Sequence, residues 1–389
     1  MIRARQRRLR VVLAGTIAAT PHQGGAAWAV LQYALGLRQL GCEVYLIEPI
    51  DACSILPDGA PLDRSENARY FRQVMQRFGL EQKSALLLNN SHKSVGLTYE
   101  ELRRVTQSAD LLINISGMLH DDPLTARIPV RAYLDLDPTF VQLWQAQGVD
   151  MRFEGHTHFV TIGQHIGEPT CDVPTCEIDW IKTLQPVLLS HWATCDVPPE
   201  ECLTTVGNWR SYGSITRAGS FYGQKAHSIR EILSLPQRVS VPIRLAMGLH
   251  PSDQHDICQL AQHRWQLVDP LEVTSTPDLY QKFVARSWAE LGVAKAGYVK
   301  SACGWFSDRS LCYLASGRPV IAQETGFGRY LPTGEGLFSF STIEDVLAGV
   351  DALRCDYRRH ARCARLLAEE FFDSRIVLTR LLDQLGLSA

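Results

Sequence analysis

The stretch from Arg10 to Glu48 constrains the fold more than any other part of the chain. RVVLAGTIA (10–18) is a short apolar run with β-branched residues, bounded by turn chemistry, and reads as a buried strand. TPHQGG follows, then AAWAVLQYALGLRQLG, in which Trp28, Leu31, Ala34, Leu35 and Leu37 recur at helical spacing. Gly41 ends that helix, and CEVYLIE makes a second strand. Strand, glycine turn, helix and strand form one βαβ unit, and such a unit commits the chain to a parallel sheet.

The alternation continues. ADLLINIS (109–116), VRAYLDLD (130–137) and HFVTIG (158–163) are strand-like, each ending in polar or glycine-containing turns. In an open parallel sheet the ligand crevice lies beyond the carboxyl ends of the strands. That rule selects His22, Gly24 and Gly25, then Ser116 and Gly117, then Asp135 and Asp137. From 167 to 202 the texture changes to five prolines with little periodicity, which predicts a connection between domains. A second α/β pattern then starts: LTTVGNW as strand, IREIL as helix, VPIRLAMG as strand, HDICQLAQH as helix and WQLVDP as strand. PDLYQKFVARSWAELGVAK reads as one helix. The tail from 343 to 387 reads as two helices, with Leu366, Leu367, Phe371, Leu378, Leu381, Leu382 and Leu385 on the apolar face.

At 389 residues the chain is long enough for two domains, each with its own core. The expected boundaries are 1–170, a connection over 171–202, a second domain over 203–375, and a terminal helix over 376–389 that returns to the first domain. A formal net charge of -2, with 46% hydrophobic residues, gives no general pull towards nucleic acid or lipid. The local exception is MIRARQRRLR, where Arg3, Arg5, Arg7, Arg8 and Arg10 either touch an anionic partner or form a solvated tail. VVLAGTIAA is too short to span a bilayer and lacks a cleavage pattern, so a cytoplasmic protein is expected. Eleven cysteines are scattered through periodic segments; Cys171 and Cys176 have no matching second pair, which favours free thiols over a zinc site.

Three stretches resemble the GT-B glycosyltransferases: PHQGGAAWAVLQYALGLRQLGCEVYLIE, TVGNW followed by YGQK, and SLCYLASGRPVIAQETGFG. The resemblance covers most of the chain. It implies two Rossmann-like domains facing a cleft, with C-terminal helices packing back toward the N-terminal domain. It also implies a nucleotide-diphosphate sugar, a UDP-sugar first, bound mainly by the C-terminal domain. On this basis the donor-binding residues are Gly25, Asn208, Trp209, Lys225, Ser307, Asp308, Arg309, Thr325, Gly326, Phe327 and Gly328. A helix beginning near Ser307 and Asp308 would aim its free N–H groups into the cleft, and Gly326 and Gly328 would let backbone approach a pyrophosphate. Asp308 and Arg309 serve equally as an internal salt bridge, and Trp209 as a filler of the interdomain seam. Retaining members commonly carry glutamates where this chain has Cys312 and Gly304; Asn208 stands where an arginine is usual.

The remaining roles fall to the first domain. His22 is the first candidate for the acceptor base, with Asp137 second; a helix-capping histidine and a turn-forming aspartate are the plainer readings. Ser116, Gly117, His120 and Asp135 are candidates for binding the acceptor, and the segment 51–100 is expected to contribute to its pocket. The loop after WQLVDP should recognise the base, through Val268 and Trp265, the latter equally a buried strand residue. No metal motif stands out, and DLDP at 135–138 matches only as a spelling; neither cofactor nor metal is expected. Leaving-group stabilisation is therefore assigned to the 325–328 backbone, Arg309 and Lys225. The expected reaction is metal-independent sugar transfer to a small-molecule or natural-product acceptor, without nucleic acid or a membrane as partner. A sugar-nucleotide 2-epimerase and a catalytically inactive binding protein of the same fold are the alternatives.

Overall fold

The computed structural model describes residues 8–194 and 200–387. Arg3, Arg5 and Arg7 of the basic tail, and residues 195–199 of the proline-rich connection, lie outside them. The first sheet is built from β1 (Arg10–Ala14), β2 (Glu43–Ile50), β3 (Ser84–Leu88), β4 (Ser94–Gly96), β5 (Leu111–Ile115), β6 (Val130–Asp135), β7 (His158–Thr161) and β8 (Trp180–Lys182). Their order is β4-β3-β2-β1-β5-β6-β7-β8. Every pairing is parallel except β3 with β4. Val11, Val12, Leu13 and Ala14 are all fully buried, as expected of a parallel strand covered on both faces. The edge strand β8 lies within the segment read as an interdomain connection.

The second sheet contains β9 (Leu203–Asn208), β12 (Ile243–Gly248), β13 (Gln266–Leu267), β14 (Ala289–Gly292), β15 (Val320–Gln323) and β16 (Leu337–Phe340). Its order is β13-β12-β9-β14-β15-β16, all parallel. A separate hairpin, β10 (Ile215–Arg217) with β11 (Ser220–Tyr222), reaches the first domain, where Gln147 Nε2 donates to the Thr216 carbonyl at 2.9 Å. The two domains are thus both open parallel α/β sheets, the expected fold class.

Two sequence expectations are corrected. The segment 277–295 is not one helix: the helix Pro277–Arg286 stops, and β14 follows as a central strand of the second sheet. Glu290 disguised it, because an acid inside a four-residue strand breaks the apolar run that marks a buried strand; here it is fully buried against Arg309. The tail has three α-helices, Ile343–Cys355, Tyr357–Leu367 and Ser374–Gln384, with a π-helical turn over Ala368–Phe372 between the last two. Leu366 is 52% exposed and leaves the apolar face assigned to it.

α1 (Gly24–Gln39) explains how the domains hold together. It buries more than one face because the helix Ser374–Gln384 crosses its outer side; a Cβ on Gly36 would sit 2.6 Å from Leu378 Cδ1. At the other end Gly24 abuts the carbonyl of Thr276, and Trp28 Nε1 donates to the carbonyl of Pro277 at 3.0 Å. One apolar core runs from α1 into the helix Asp308–Ala315 and the tail. In each sheet the strand order reverses at one point, between β1 and β5 and between β9 and β14. No helix among the described residues is long and apolar enough to cross a membrane. The ten described cysteines are free.

Candidate active site

A cavity of about 780 Å³ lies between the domains, at the carboxyl ends of β1, β9, β12 and β13. The first domain contributes Pro21, His22, Gln23, Gly25 and Ala26. The second contributes Val206–Asn208, Met247–Leu249, Leu267–Leu271, Thr274, Tyr280, Asp308 and Arg309. His22, Gly25, Asn208, Asp308, Arg309 and Val268 are therefore brought together as expected from sequence.

The floor of the second-domain side is cationic. Arg309 is 8% exposed; its Nε donates to Glu290 Oε1 and its Nη1 to the Val206 carbonyl, while Nη2 has no partner among the described residues. Lys225, at the start of the helix Lys225–Glu231, is 9% exposed and lies behind Gly207 without itself lining the cavity. A Cβ on Gly207 would lie 2.7 Å from Lys225 Nζ and 3.8 Å from Arg309 Nη1, so both cations converge beneath a residue that must lack a side chain. Burial first, then the neighbouring Arg309, holds the Lys225 pKa well below the usual lysine range. Burial would also lower the Arg309 pKa, but Glu290 overrides it and keeps the guanidinium charged. Asp308 is half-buried beside them; burial raises its pKa against the pull of Arg309 and Lys225. Ser307 caps the helix Asp308–Ala315, accepting from the Arg309 N–H at 3.2 Å.

His22 sits opposite, in the loop between β1 and α1, with φ of 65°. Its Nε2–H donates to Glu66 Oε1 at 2.7 Å, and its ring meets the edge of Tyr70 with centroids 5.1 Å apart. Both partners lie on α2 (Glu66–Arg77), inside the segment 51–100 expected to contribute to the acceptor pocket. With Nε2 committed to a carboxylate, Nδ1 is the nitrogen that carries the lone pair.

Other predicted residues are placed elsewhere. Gly326 and Gly328 do not line the cavity: their N–H groups donate to Glu324 Oε1 at 2.6 and 3.3 Å, so the loop already holds an acid of its own. Thr325 donates to the Trp305 carbonyl, and Phe327 is buried against Phe306. Trp209 belongs to the second-domain core, its Nε1 donating to Asp256 Oδ2 at 3.0 Å. Trp265 is likewise buried, donating to the Leu233 carbonyl. Gly117 and His120 line a different, 60 Å³ cavity, with His120 Nδ1 3.0 Å from Arg152 Nη1; Ser116 precedes them in a left-handed turn, φ 52°. Asp135 is fully buried and accepts from Gln142, Thr161 and the Asp137 N–H. Asp137 is bound across the seam: both its oxygens lie 3.1 Å from Lys295 Nζ, and the Tyr298 hydroxyl also donates to it.

Sequence reasoning missed Glu66, Glu290, Glu48 and Lys295. Glu290 was hidden by the misread strand. Lys295 lies in a cage of Phe140, Tyr212 and Tyr298 rings that no local spacing announces.

No protein-family model matches the sequence, and no curated protein matches it. Solved structures do match in shape. Anabaena HepE in complex with UDP and glucose superposes with a TM-score of 0.59 at 11% identity, over 97% of this chain and 100% of that one. An alpha-glucosyltransferase in complex with UDP and a 13-mer DNA containing an HMU base gives a TM-score of 0.59 at 10% identity, over 97% and 99%. Across nearly its whole length, this chain has the two-domain GT-B fold of these glycosyltransferases.

Proposed function

We propose that the protein transfers a sugar from a nucleotide-diphosphate sugar, a UDP-sugar first, to a small-molecule acceptor. The observation that carries this reading is the pair Lys225 and Arg309: a buried amino group, which an arriving anion would hold protonated, and a buried guanidinium converge under Gly207, with a guanidinium nitrogen left without an acceptor among the described residues. A buried donor without a partner costs about 1–3 kcal/mol, more for a charged group, and a diphosphate supplies the missing acceptors. The solved relatives of this fold that hold UDP support the choice of nucleotide. Leu249, Leu267 and Leu271 give the far end of the cavity an apolar wall suited to a base. A net charge of -2 favours a small acceptor over a polyanion.

In this reading His22 Nδ1 takes the proton of an acceptor hydroxyl while that oxygen bonds the anomeric carbon. The bond from this carbon to the phosphate oxygen breaks, and its electron pair leaves on the diphosphate, where Lys225 and Arg309 stabilise the charge. Glu66 holds the imidazole tautomer and stabilises the cation that forms. The two cationic side chains take the place a metal fills elsewhere, so magnesium should not be required.

Thermal unfolding with UDP, GDP, ADP, CDP and dTDP, with and without magnesium, tests this. UDP at a hundred times its dissociation constant should stabilise the fold by about 2.7 kcal/mol, without magnesium, and Lys225→Met should abolish the shift. If no nucleotide stabilises the protein at millimolar concentration, the cations serve only the fold and the binding-protein reading replaces this one.

A further inference from the structure

We propose that Glu48 is a positioning residue for His22, fixing the loop that presents the imidazole to the cleft. The inference rests on the reading of His22 as the acceptor base. Glu48 is on β2, fully buried, and its Oε1 accepts the N–H groups of Ile17, Ala18 and Ala19 at 2.8, 2.6 and 2.7 Å. Three successive N–H groups after the first strand of an α/β domain form the kind of concavity that elsewhere cradles a phosphate. Here the chain fills it with its own carboxylate.

The opposite side of the loop is held too. Asn67, fully buried on α2, donates from Nδ2 to the carbonyls of Ala18 and Ser54 at 2.8 and 3.2 Å and accepts from the Leu56 N–H at 2.8 Å. Glu66, its neighbour, holds the His22 ring. Loop, base and orienting acid are thereby referred to β2 and α2. Glu48 Oε2 and the Tyr70 hydroxyl are both buried without a partner among the described residues, and Tyr70 packs on His22. A buried carboxylate is an expensive way to satisfy three N–H groups if only stability is at stake. Above about pH 7, where burial still lets it ionise, its charge-assisted bonds hold the backbone more tightly than a neutral acceptor would.

The full chain is assayed for release of UDP from UDP-glucose, with water as acceptor, and for UDP binding by calorimetry. Glu48→Gln should lower kcat by about tenfold, as expected for a base displaced by a fraction of an ångström. KM for UDP-glucose and the UDP dissociation constant should stay within about twofold, because the cationic floor lies in the other domain. In a His22→Ala background the same substitution should cost nothing further. An additive loss in that background, a loss confined to KM, or an unchanged kcat overturns the proposal. Should His22→Ala itself keep full turnover, the base reading fails and this one falls with it. His22→Ala inactive beside Glu48→Gln fully active removes Glu48 alone. Glu48→Asp, which keeps the charge but shortens the reach, supplies the same comparison if the glutamine variant does not fold.

Discussion

Buried acids set the behaviour of this protein at the scale of single residues. Burial pushes Glu48 up to about 7 and Asp135 up to about 6, in both cases against hydrogen bonds that favour the charged form. A carboxyl whose pKa rises on folding takes up a proton as the chain folds. Its contribution to stability is complete below the unfolded value, near 4, and is lost as pH rises through the folded value. At about 1.4 kcal/mol for each unit, each group withdraws roughly 3 kcal/mol between mildly acid and neutral pH. Glu43 works the other way: although burial would raise it, bonds from Lys83, Arg10 and Tyr45 hold it down at about 2, so its contribution is complete above the unfolded value, near 4.5, and is lost as pH falls from there through the folded value. The urea midpoint should therefore be higher at pH 5.5 than at pH 8, and Glu48→Gln together with Asp135→Asn should flatten the difference. A midpoint that rises from pH 5.5 to 8 would show both acids ionised in the folded state throughout.

Among the elements, α1 links the site to the seam. The Gly-Gly pair that opens it reads as a glycine turn in sequence, yet in the structure it is a contact between domains: Gly24 lies against the carbonyls of Thr276 and Thr274, and a Cβ on Gly25 would be 2.9 Å from Tyr280 Cε2. Gly24→Val must push the segment 274–276 away, an overpacking cost of about 1–3 kcal/mol. It should weaken UDP binding as well, because Thr274 and Tyr280 line the same cavity; calorimetry with UDP and a thermal melt check both effects. A variant as stable and as tight as the parent would mean the two domains slide freely at this point. The opening βαβ unit was legible because its apolar positions repeat at one period and then another. β14 was not, because Glu290 pairs with Arg309, nineteen residues later, and only the folded chain brings them together. The pair under Gly207 is legible in part: Lys225 follows from the YGQK stretch and Arg309 from its place at the start of a cleft-facing helix, whereas their convergence depends on β9 lying beside β14.

Across the whole molecule, two reversals of strand order face each other over the cleft, and the chain divides the work between them. The first domain fills its backbone concavity with Glu48, and the second fills the 326–328 turn with Glu324, which leaves the Lys225–Arg309 floor as the open cationic site among the described residues of the cleft. On the flank beyond that floor, Asp137 of the first domain binds Lys295 of the second inside a ring of aromatic side chains. Asp137 was legible as a polar residue ending a strand at the cleft; its cross-domain partner was not, since no short-range pattern relates the two. Burial lowers the Lys295 pKa, and Asp137 offsets it by favouring the charged ammonium. Removing one partner of a buried pair costs about 3–5 kcal/mol; with Asp137 side chain still 21% exposed, the lower end applies. Asp137→Asn should lower the unfolding free energy by about 3 kcal/mol while leaving UDP affinity within about twofold, and Lys295→Met in the same chain should recover most of the loss by removing the stranded charge. If Asp137→Asn instead abolishes turnover at unchanged stability, its carboxylate acts on substrate, and the pairing with Lys295 must open during the reaction.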